Sequence, residues 1–176
     1  MSMLLQHIAG QLKKLRTEKG WSLDQTAKET GISKAMLGQI EREESNPTIQ
    51  TLWKIALGFH CSLSTFLPAE PQPESVLKHE ADALSVKILQ AFDAALGYEI
   101  LHITLKAYSS HDSCAHEQGV IEDILPLNGS ITIQTEEQHY MANTGESIRF
   151  HADQAHRYLN HSNQDVIFYN IIHYAK

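Results

Sequence analysis

The spacing of apolar residues changes once along this chain, at a short proline-rich segment. Upstream of that segment, Leu5, Ile8 and Leu12 recur at intervals of three and four residues, the spacing of a helix with one buried face. Downstream, YEILHITL (98–105) alternates toward a period of two, the spacing of a half-buried strand. The chain therefore contains a helical part followed by a part built from strands.

The segment LPAEPQPES (67–75) separates the two parts. Its three prolines cannot continue a helix, so the segment predicts a stiff linker. The length of 176 residues suits two small domains. We expect an α+β chain with an all-α helix bundle over residues 1–67, a linker over 68–75 and an all-β domain over 76–176.

Charge is distributed unevenly between the two parts. Residues 1–67 hold eight Lys and Arg against six Asp and Glu, a net +2, whereas residues 68–176 hold six against fifteen, a net −9. Binding to phosphates requires positive charge, so we expect any contact with nucleic acid to come from the first domain and not from the acidic second one.

Cysteine usage and the N-terminus indicate a cytoplasmic protein. The two cysteines, Cys61 and Cys114, fall in different predicted domains and form no disulfide framework, which fits a reducing compartment. The stretch MSMLLQHIAGQLKKLR (1–16) has no small-residue cleavage site, which predicts that there is no signal peptide. Because no apolar run approaches the ~20 residues of a membrane-spanning helix, we expect no membrane partner.

Five helices are predicted in the first domain. Ser22, followed three residues later by Gln25, has the capping-box pattern of a helix start, and Gly31 predicts the turn after this second helix. Ser33 is expected to cap the third helix. A fourth helix follows, and SLSTFL (62–67) is expected to form a short fifth one. The apolar positions of the third helix are Met36, Leu37 and Ile40.

The second and third helices have the spacing of a helix-turn-helix motif, with a turn on glycine and a second helix that begins with small polar residues. The amide of Gln39 can pair with adenine, the ammonium of Lys34 with guanine, and the methyl group of Ala35 can touch thymine. Periodicity alone also fits a helical interaction module that binds no DNA. The residues that we predict to contact DNA are Ser22, Ser33, Lys34, Ala35, Gln39 and Arg42.

The stretch GWSLDQTAKETGISKAMLGQIEREESNPTIQTLWKIALGF (20–59) resembles the Xre family of phage-repressor-like helix-turn-helix proteins over its whole length. This resemblance favours DNA binding over an interaction module. In that family an arginine of the first helix pairs with the glutamate that ends the recognition helix, which implies a largely buried ion pair between Arg16 and Glu41. Leu23 stands where the family often has a glutamine that supports the DNA contacts, so that contact is not carried over.

The second domain is expected to contain many short strands joined by Gly, Asn and Asp turns, as in a sandwich or barrel. Within VIEDILPLNGSITIQT (120–135), two strand-like runs are separated by Asn128 and Gly129, which predicts a hairpin at that dipeptide. Nine of the eleven histidines follow Pro68, so candidate metal ligands are concentrated in this domain.

Two stretches of this domain, SSHDSCAHEQGVIEDILPLNG (109–129) and GESIRFHADQAHRYLN (145–160), resemble the two sequence motifs of cupins. The resemblance implies a double-stranded β-helix, or jelly-roll barrel, with a metal site inside it. Carried over by position, Glu122 is the carboxylate ligand and His156 the late histidine. His116 takes the second early-histidine place, although five residues separate it from Glu122 rather than the usual three or four.

The remaining early-histidine place falls on Cys114, which either adds a thiolate ligand or packs as a small apolar residue; His111 is a substitute. A carboxylate and two imidazoles are costly to bury without a partner, and a divalent metal supplies one while keeping an open coordination position. Zinc is the first choice because it accepts mixed ligands, although this set also suits non-haem iron. In the alternative, a metal-free cupin, these residues bond to one another or to water.

An Xre domain followed by a cupin domain resembles bacterial transcriptional regulators, and the stretches GWSL, SKAMLGQIER and TLWKIA are most similar to regulators of sulfur utilisation. The resemblance implies a homodimer that binds an operator in double-stranded DNA, without catalysis. Its cupin domain would bind an effector, an amino acid or related carboxylate, with a sulfur-containing amino acid as first candidate. Arg149 is the candidate partner of the effector carboxylate, or else a surface arginine. The alternative function is a metal-dependent cupin oxygenase or isomerase fused to a DNA-binding domain.

Overall fold

The computed structural model describes residues 3–67 and 83–175. The chain divides into two compact units, Met1–Ser75 and Val76–Lys176. The predicted linker, residues 68–75, lies outside the described residues. None of the helices in the described ranges is both long and apolar enough to cross a membrane.

The first unit contains four α-helices and one short 3₁₀-helix among its described residues. The predicted fifth helix is wrong, because Leu63–Phe66 forms only a four-residue 3₁₀ turn and Ser62 makes no side-chain capping bond to it. Leu67 is already extended, as expected of a residue that precedes a proline. The helices are α1 (Met3–Glu18), α2 (Leu23–Thr30), α3 (Lys34–Glu41) and α4 (Ile49–Phe59).

Side-chain caps set the starts of α2 and α3, as the sequence predicts. The hydroxyl oxygen of Ser22 accepts a hydrogen bond from the backbone N–H of Gln25 at 3.1 Å, and that of Ser33 accepts one from the N–H of Met36 at 3.2 Å. Gly31, between the two helices, has φ of +67°, a left-handed conformation that glycine adopts without steric cost. These caps fix the entry of α3 and therefore the orientation of its first turn.

Helix α4 lies very close to the end of α2 at Gly58. A Cβ atom on Gly58 would lie 2.7 Å from the carbonyl oxygen of Glu29 and 2.7 Å from Cγ2 of Thr30. No side chain fits at this crossing. The core beside it is apolar, and its fully buried members include Leu12, Leu37, Ile40, Leu52 and Phe66.

The second unit is all-β, and every strand pair in its described part is antiparallel. One sheet has the order β1-β2-β9-β4-β7 and the other β3-β8-β5-β6. The strands are β1 (Leu84–Asp93), β2 (Tyr98–Leu105), β3 (Ser109–Ser113), β4 (Ile121–Pro126), β5 (Ser130–Thr135), β6 (His139–Asn143), β7 (Ile148–His151), β8 (His156–Asn160) and β9 (Val166–His173).

The hairpin predicted at Asn128-Gly129 is wrong. Strand β4 pairs with β7 and β9, whereas β5 pairs with β6 and β8, so the dipeptide carries the chain from one sheet to the other. The side chain of Asn128 explains the difference, because it bonds away from the turn. Its amide donates to the carbonyl of Asp165 at 2.9 Å, and its oxygen accepts from the N–H of Ile167 at 2.6 Å, tying the corner to β9.

Successive side chains of each strand point to opposite faces of its sheet, so every second side chain enters the space between the two sheets. Most of them are apolar, but strand β4 buries Glu122, β8 buries His156 and Tyr158, and β9 buries Asn170. Because β4 and β9 belong to one sheet and β8 to the other, these polar groups face one another across the interior.

Candidate functional site

The exposed face of α3 carries the residues that the sequence assigns to DNA. Ser33, Lys34, Ala35 and Gln39 are all exposed, whereas Leu37, Gly38 and Ile40 face the core. Met36, one of the apolar positions of this helix, is 40% exposed. Its spacing of three residues from both Ser33 and Gln39 places it on their face of the helix.

The two basic residues predicted at this surface already have acidic partners. Lys34 Nζ lies 2.7 Å from Asp24 Oδ2, and Arg42 Nη2 lies 2.8 Å from Glu44 Oε2; all four side chains are exposed. Exposed pairs of this kind are worth ~0–1 kcal/mol each, so a phosphate group can displace the acid at little cost. The hydroxyl oxygen of Ser22 accepts the capping bond of α2, which leaves its proton for another acceptor.

The ion pair implied by the Xre resemblance is present. Arg16 Nε lies 2.6 Å from Glu41 Oε1 and Nη2 lies 3.0 Å from Oε2, and the two side chains are only 19% and 10% exposed. The third nitrogen, Nη1, donates to the carbonyl of Trp21 at 3.0 Å. Hydrogen bonding to Glu41 raises the pKa of Arg16. The guanidinium thus links α1, the segment before α2 and the last residue of α3.

In the second unit, His116, Glu122 and His156 converge, and each of the three is buried. Their ligand atoms all lie within 4.8 Å of one another. His116 lies in the segment between β3 and β4, held by a bond from its backbone N–H to the carbonyl of Ala152 at 2.9 Å. Glu122 is on β4, and His156 is the first residue of β8. The three residues named from the cupin motifs therefore meet at one point.

Glu122 is the centre of this cluster and is fully buried. Its Oε1 lies 2.8 Å from His116 Nε2 and 3.6 Å from His156 Nε2. Burial by itself raises the pKa of a carboxyl group, but the nearby His156, His116 and the Tyr158 hydroxyl outweigh it and lower the pKa of Glu122 to about 2. The carboxylate is ionised at neutral pH, as a metal ligand must be.

The donor set fits a divalent metal. Nδ1 of His156 lies 3.0 Å from the carbonyl oxygen of Gln154, which can only accept, so Nδ1 carries a proton and Nε2 is the ring nitrogen that faces Glu122. An imidazole fixed in this way by its other nitrogen is the usual arrangement of a metal-binding histidine. Two imidazole nitrogens and one carboxylate oxygen suit zinc or non-haem iron.

Two residues near this cluster were missed by the sequence analysis. The hydroxyl of Tyr158 donates to Glu122 Oε2 at 2.5 Å, and the amide of Asn170 donates to the same oxygen at 3.0 Å. Burial and the adjacent Glu122 carboxylate raise the pKa of Tyr158 well above its usual value, so the phenol remains a donor. The available signals were the spacing of two residues from His156 and a lone amide within the apolar run of β9.

The other candidates of the second domain lie elsewhere. Cys114 is a half-buried free thiol and is not part of the cluster formed by the described residues. His111 packs near the Tyr158 ring, at 6.4 Å between centroids. Arg149 points outward, 67% exposed, and forms a bidentate pair with Asp123 at 2.6 and 2.7 Å. This is the position of a surface arginine, the alternative that the sequence left open, and a pairing of Arg149 with an effector carboxylate stays a prediction.

Comparison with known proteins identifies the family. A helix-turn-helix family model (HTH_3) matches residues 12–66. The HTH-type transcriptional regulator SutR of Escherichia coli is 40% identical over 177 aligned residues, which cover 100% of this chain and 99% of the relative. The chain belongs to the SutR-like helix-turn-helix transcriptional regulators. The SinR regulator of Bacillus subtilis is 37% identical over 68 residues, 38% of this chain and 61% of SinR.

Solved structures extend the similarity of this SutR-like regulator to both units. An HTH_3 family transcriptional regulator from Vibrio cholerae has a TM-score of 0.85 and 42% identity, covering 99% of this chain and 98% of its own. The Cupin_2 domain of an XRE family regulator from Enterobacter cloacae has a TM-score of 0.51 and 29% identity, covering 54% of this chain and 100% of its own. The predicted combination of an Xre-type domain with a cupin-like domain is confirmed.

Proposed function

We propose that this transcriptional regulator reads a specific operator through α3 and that its cupin-like unit senses a small molecule at a metal bound by His116, Glu122 and His156. The observation that carries the sensing role is the convergence of these three buried side chains on one point. A regulator that only bound DNA would have no need for an ionised carboxylate between two imidazoles inside a barrel.

The DNA-reading role rests on the face of α3. Its first turn is fixed by the Ser33 cap and presents small or flexible side chains, with Gln39 one turn further along. Gln39 is the proposed base reader, and Lys34 and Arg42 bind phosphates once these displace their acidic partners. A homodimer would read two half-sites about 34–36 Å apart, one turn of DNA.

Selection from a random DNA pool tests this role. The purified full chain is expected to enrich a near-palindromic sequence, and sedimentation of the complex is expected to give two chains per duplex. Recovery of the pool without enrichment, at any salt concentration that still permits binding, would refute sequence-specific reading.

Zinc is the proposed metal, because two imidazoles and one carboxylate satisfy it without any redox partner. Three protein ligands leave coordination positions open. An amino acid could fill them through its amine and one carboxylate oxygen, and a sulfur-containing amino acid is the first candidate because of the resemblance to sulfur-utilisation regulators. The effector can change DNA binding only if it favours one dimer geometry over another, since a ligand shifts an equilibrium by its unequal affinity for the two states.

Calorimetry of the zinc-loaded chain with cysteine, methionine and alanine tests the sensing role. We expect heat of binding from a sulfur-containing amino acid, none from alanine, and none with the His156→Ala variant. An unchanged response after metal removal would refute the site. Consumption of oxygen with any of these amino acids by the iron-loaded chain would instead establish the alternative, a cupin oxygenase.

A further inference from the structure

The two oxygens of Glu122 have different surroundings. Oε1 faces the two histidines, with His116 Nε2 at 2.8 Å and His156 Nε2 at 3.6 Å. Oε2 faces two hydrogen-bond donors instead, with Tyr158 Oη at 2.5 Å and Asn170 Nδ2 at 3.0 Å. A carboxylate oxygen has two lone pairs, so these two donors occupy the acceptor capacity of Oε2.

The donors to Oε2 come from both sheets. Asn170 is on β9, where it pairs with Ile124 of β4 and is therefore a diagonal neighbour of Glu122 on the same inner face. Tyr158 is on β8 of the opposite sheet, two residues from His156. The Tyr158 hydroxyl also lies 3.3 Å from Asn170 Nδ2 and 3.2 Å from His156 Nε2. Donors from both sheets thus hold the Glu122 carboxylate, and rotation about its Cγ–Cδ bond would break both hydrogen bonds to Oε2.

The Asn170 amide is oriented so that its nitrogen donates to the Glu122 carboxylate, although this leaves its own oxygen without a partner among the described residues. Asn170 is fully buried, and its Oδ1 has no hydrogen-bond partner among the described residues. A buried acceptor without a partner is destabilising. The reversed amide would place Oδ1 against Oε2, two acceptors facing each other, so donation to Glu122 determines which way this side chain points.

We propose that Tyr158 and Asn170 are positioning residues that restrict Glu122 to binding the metal through Oε1 alone. The inference rests on the proposed metal site. With Oε2 held by two donors, the carboxylate occupies one coordination position, and the positions left over remain available to water or the effector. Without these donors, Oε2 would turn toward the metal and take one of the positions that the effector needs.

Zinc affinity and the spectrum of the cobalt-substituted protein test this role. Full-length, metal-depleted protein is titrated with Zn²⁺ against a chromophoric chelator and, separately, with Co²⁺. Tyr158→Phe removes only the hydroxyl and is expected to weaken zinc binding 10–100-fold, the usual effect of losing an outer partner of a ligand. Its cobalt absorption is expected to weaken, because a second carboxylate oxygen raises the coordination number. Tyr140→Phe, at a half-buried tyrosine on β6, is the matched control and is expected to behave like the wild type.

The possible results separate the positioning role of Tyr158 and Asn170 from the metal site itself. Wild-type affinity and spectrum in Tyr158→Phe would overturn the positioning role while leaving the metal site intact. If Tyr158→Phe binds zinc more weakly but its cobalt spectrum is unchanged, the proposal that these donors restrict Glu122 to one coordinating oxygen is rejected. Absence of zinc and cobalt binding by the wild-type chain would refute the metal site itself, and the positioning role with it. Asn170→Leu is the second variant, with the same expected loss of affinity, in case Tyr158→Phe does not fold.

Discussion

Arg16 and Glu41 form a bidentate, mostly buried ion pair that joins α1 to the end of α3, with Nε–Oε1 at 2.6 Å and Nη2–Oε2 at 3.0 Å. Removing one partner leaves the other charge in a poorly hydrated position. We expect Glu41→Gln to lower the free energy of unfolding of the first unit by about 3 kcal/mol. Urea unfolding measures this change. The control is Glu18→Gln, which removes the exposed pair with Lys14 and should cost less than ~1 kcal/mol. Equal losses in both variants would show that the Arg16–Glu41 pair is energetically a surface pair.

Two helical glycines of the first unit, Gly58 in α4 and Gly10 in α1, are expected to respond in opposite ways to replacement by alanine. Gly58→Ala places a Cβ atom 2.7 Å from the backbone of Glu29, so we expect a loss of about 1–3 kcal/mol in unfolding free energy from overpacking. Gly10→Ala, within α1, meets nothing within 4 Å and is expected to stabilise the unit by about 0.5–1 kcal/mol. Thermal unfolding of the two variants measures both signs. If Gly58→Ala unfolds at the wild-type temperature or above it, α2 and α4 can move apart at this point without a loss of stability.

Gln39 is the residue that should most affect the choice of base. Because a side-chain amide can make two bonds to adenine, Gln39→Ala should cost about 1–3 kcal/mol on the selected operator and relax preference at one position. Competition binding with single-base operator variants measures both effects. Gln6→Ala, at an exposed glutamine of α1, is the control. If Gln39→Ala weakens binding to operator and random DNA equally, Gln39 contacts the backbone and not a base.

The sequence predicted which residues cluster in the second unit better than it predicted the connections between its strands. Caps and glycine turns are local signals, so the starts of α2 and α3 at Ser22 and Ser33 were predictable. The cupin motifs named His116, Glu122 and His156 by position, and these residues do converge. Pairing between strands is not local, and the Asn128-Gly129 signal could not reveal that the flanking strands belong to different sheets. Tyr158 and Asn170 were missed because their spacing placed them on inner faces of strands but could not show that both donate to Glu122 on a third strand.

The low pKa of Glu122 predicts a pH dependence in the metal-free chain. A carboxyl group with pKa about 2 in the folded state, lowered from 4.5, stabilises the fold above pH ~4.5, and this contribution is lost as the pH falls toward 2. Between pH 7 and pH 3 the loss from this group is about 2 kcal/mol. With chelator present, Glu122→Gln should therefore lose that much less stability than the wild type over this range. The exposed Glu137→Gln is the control and should follow the wild type. Identical pH profiles in all three proteins would contradict a charged, bonded Glu122.

The metal content of the purified full chain shows whether His116, Glu122 and His156 hold a metal ion. The chain is prepared without chelator and analysed by inductively coupled plasma mass spectrometry beside Glu122→Gln, an isosteric change that removes the ligand charge. We expect about one zinc ion per wild-type chain and a small fraction of that in the variant, because three protein ligands are needed to hold the ion. Metal-free wild-type protein that cannot be loaded with zinc, or equal metal content in both proteins, would refute a metal site at His116, Glu122 and His156.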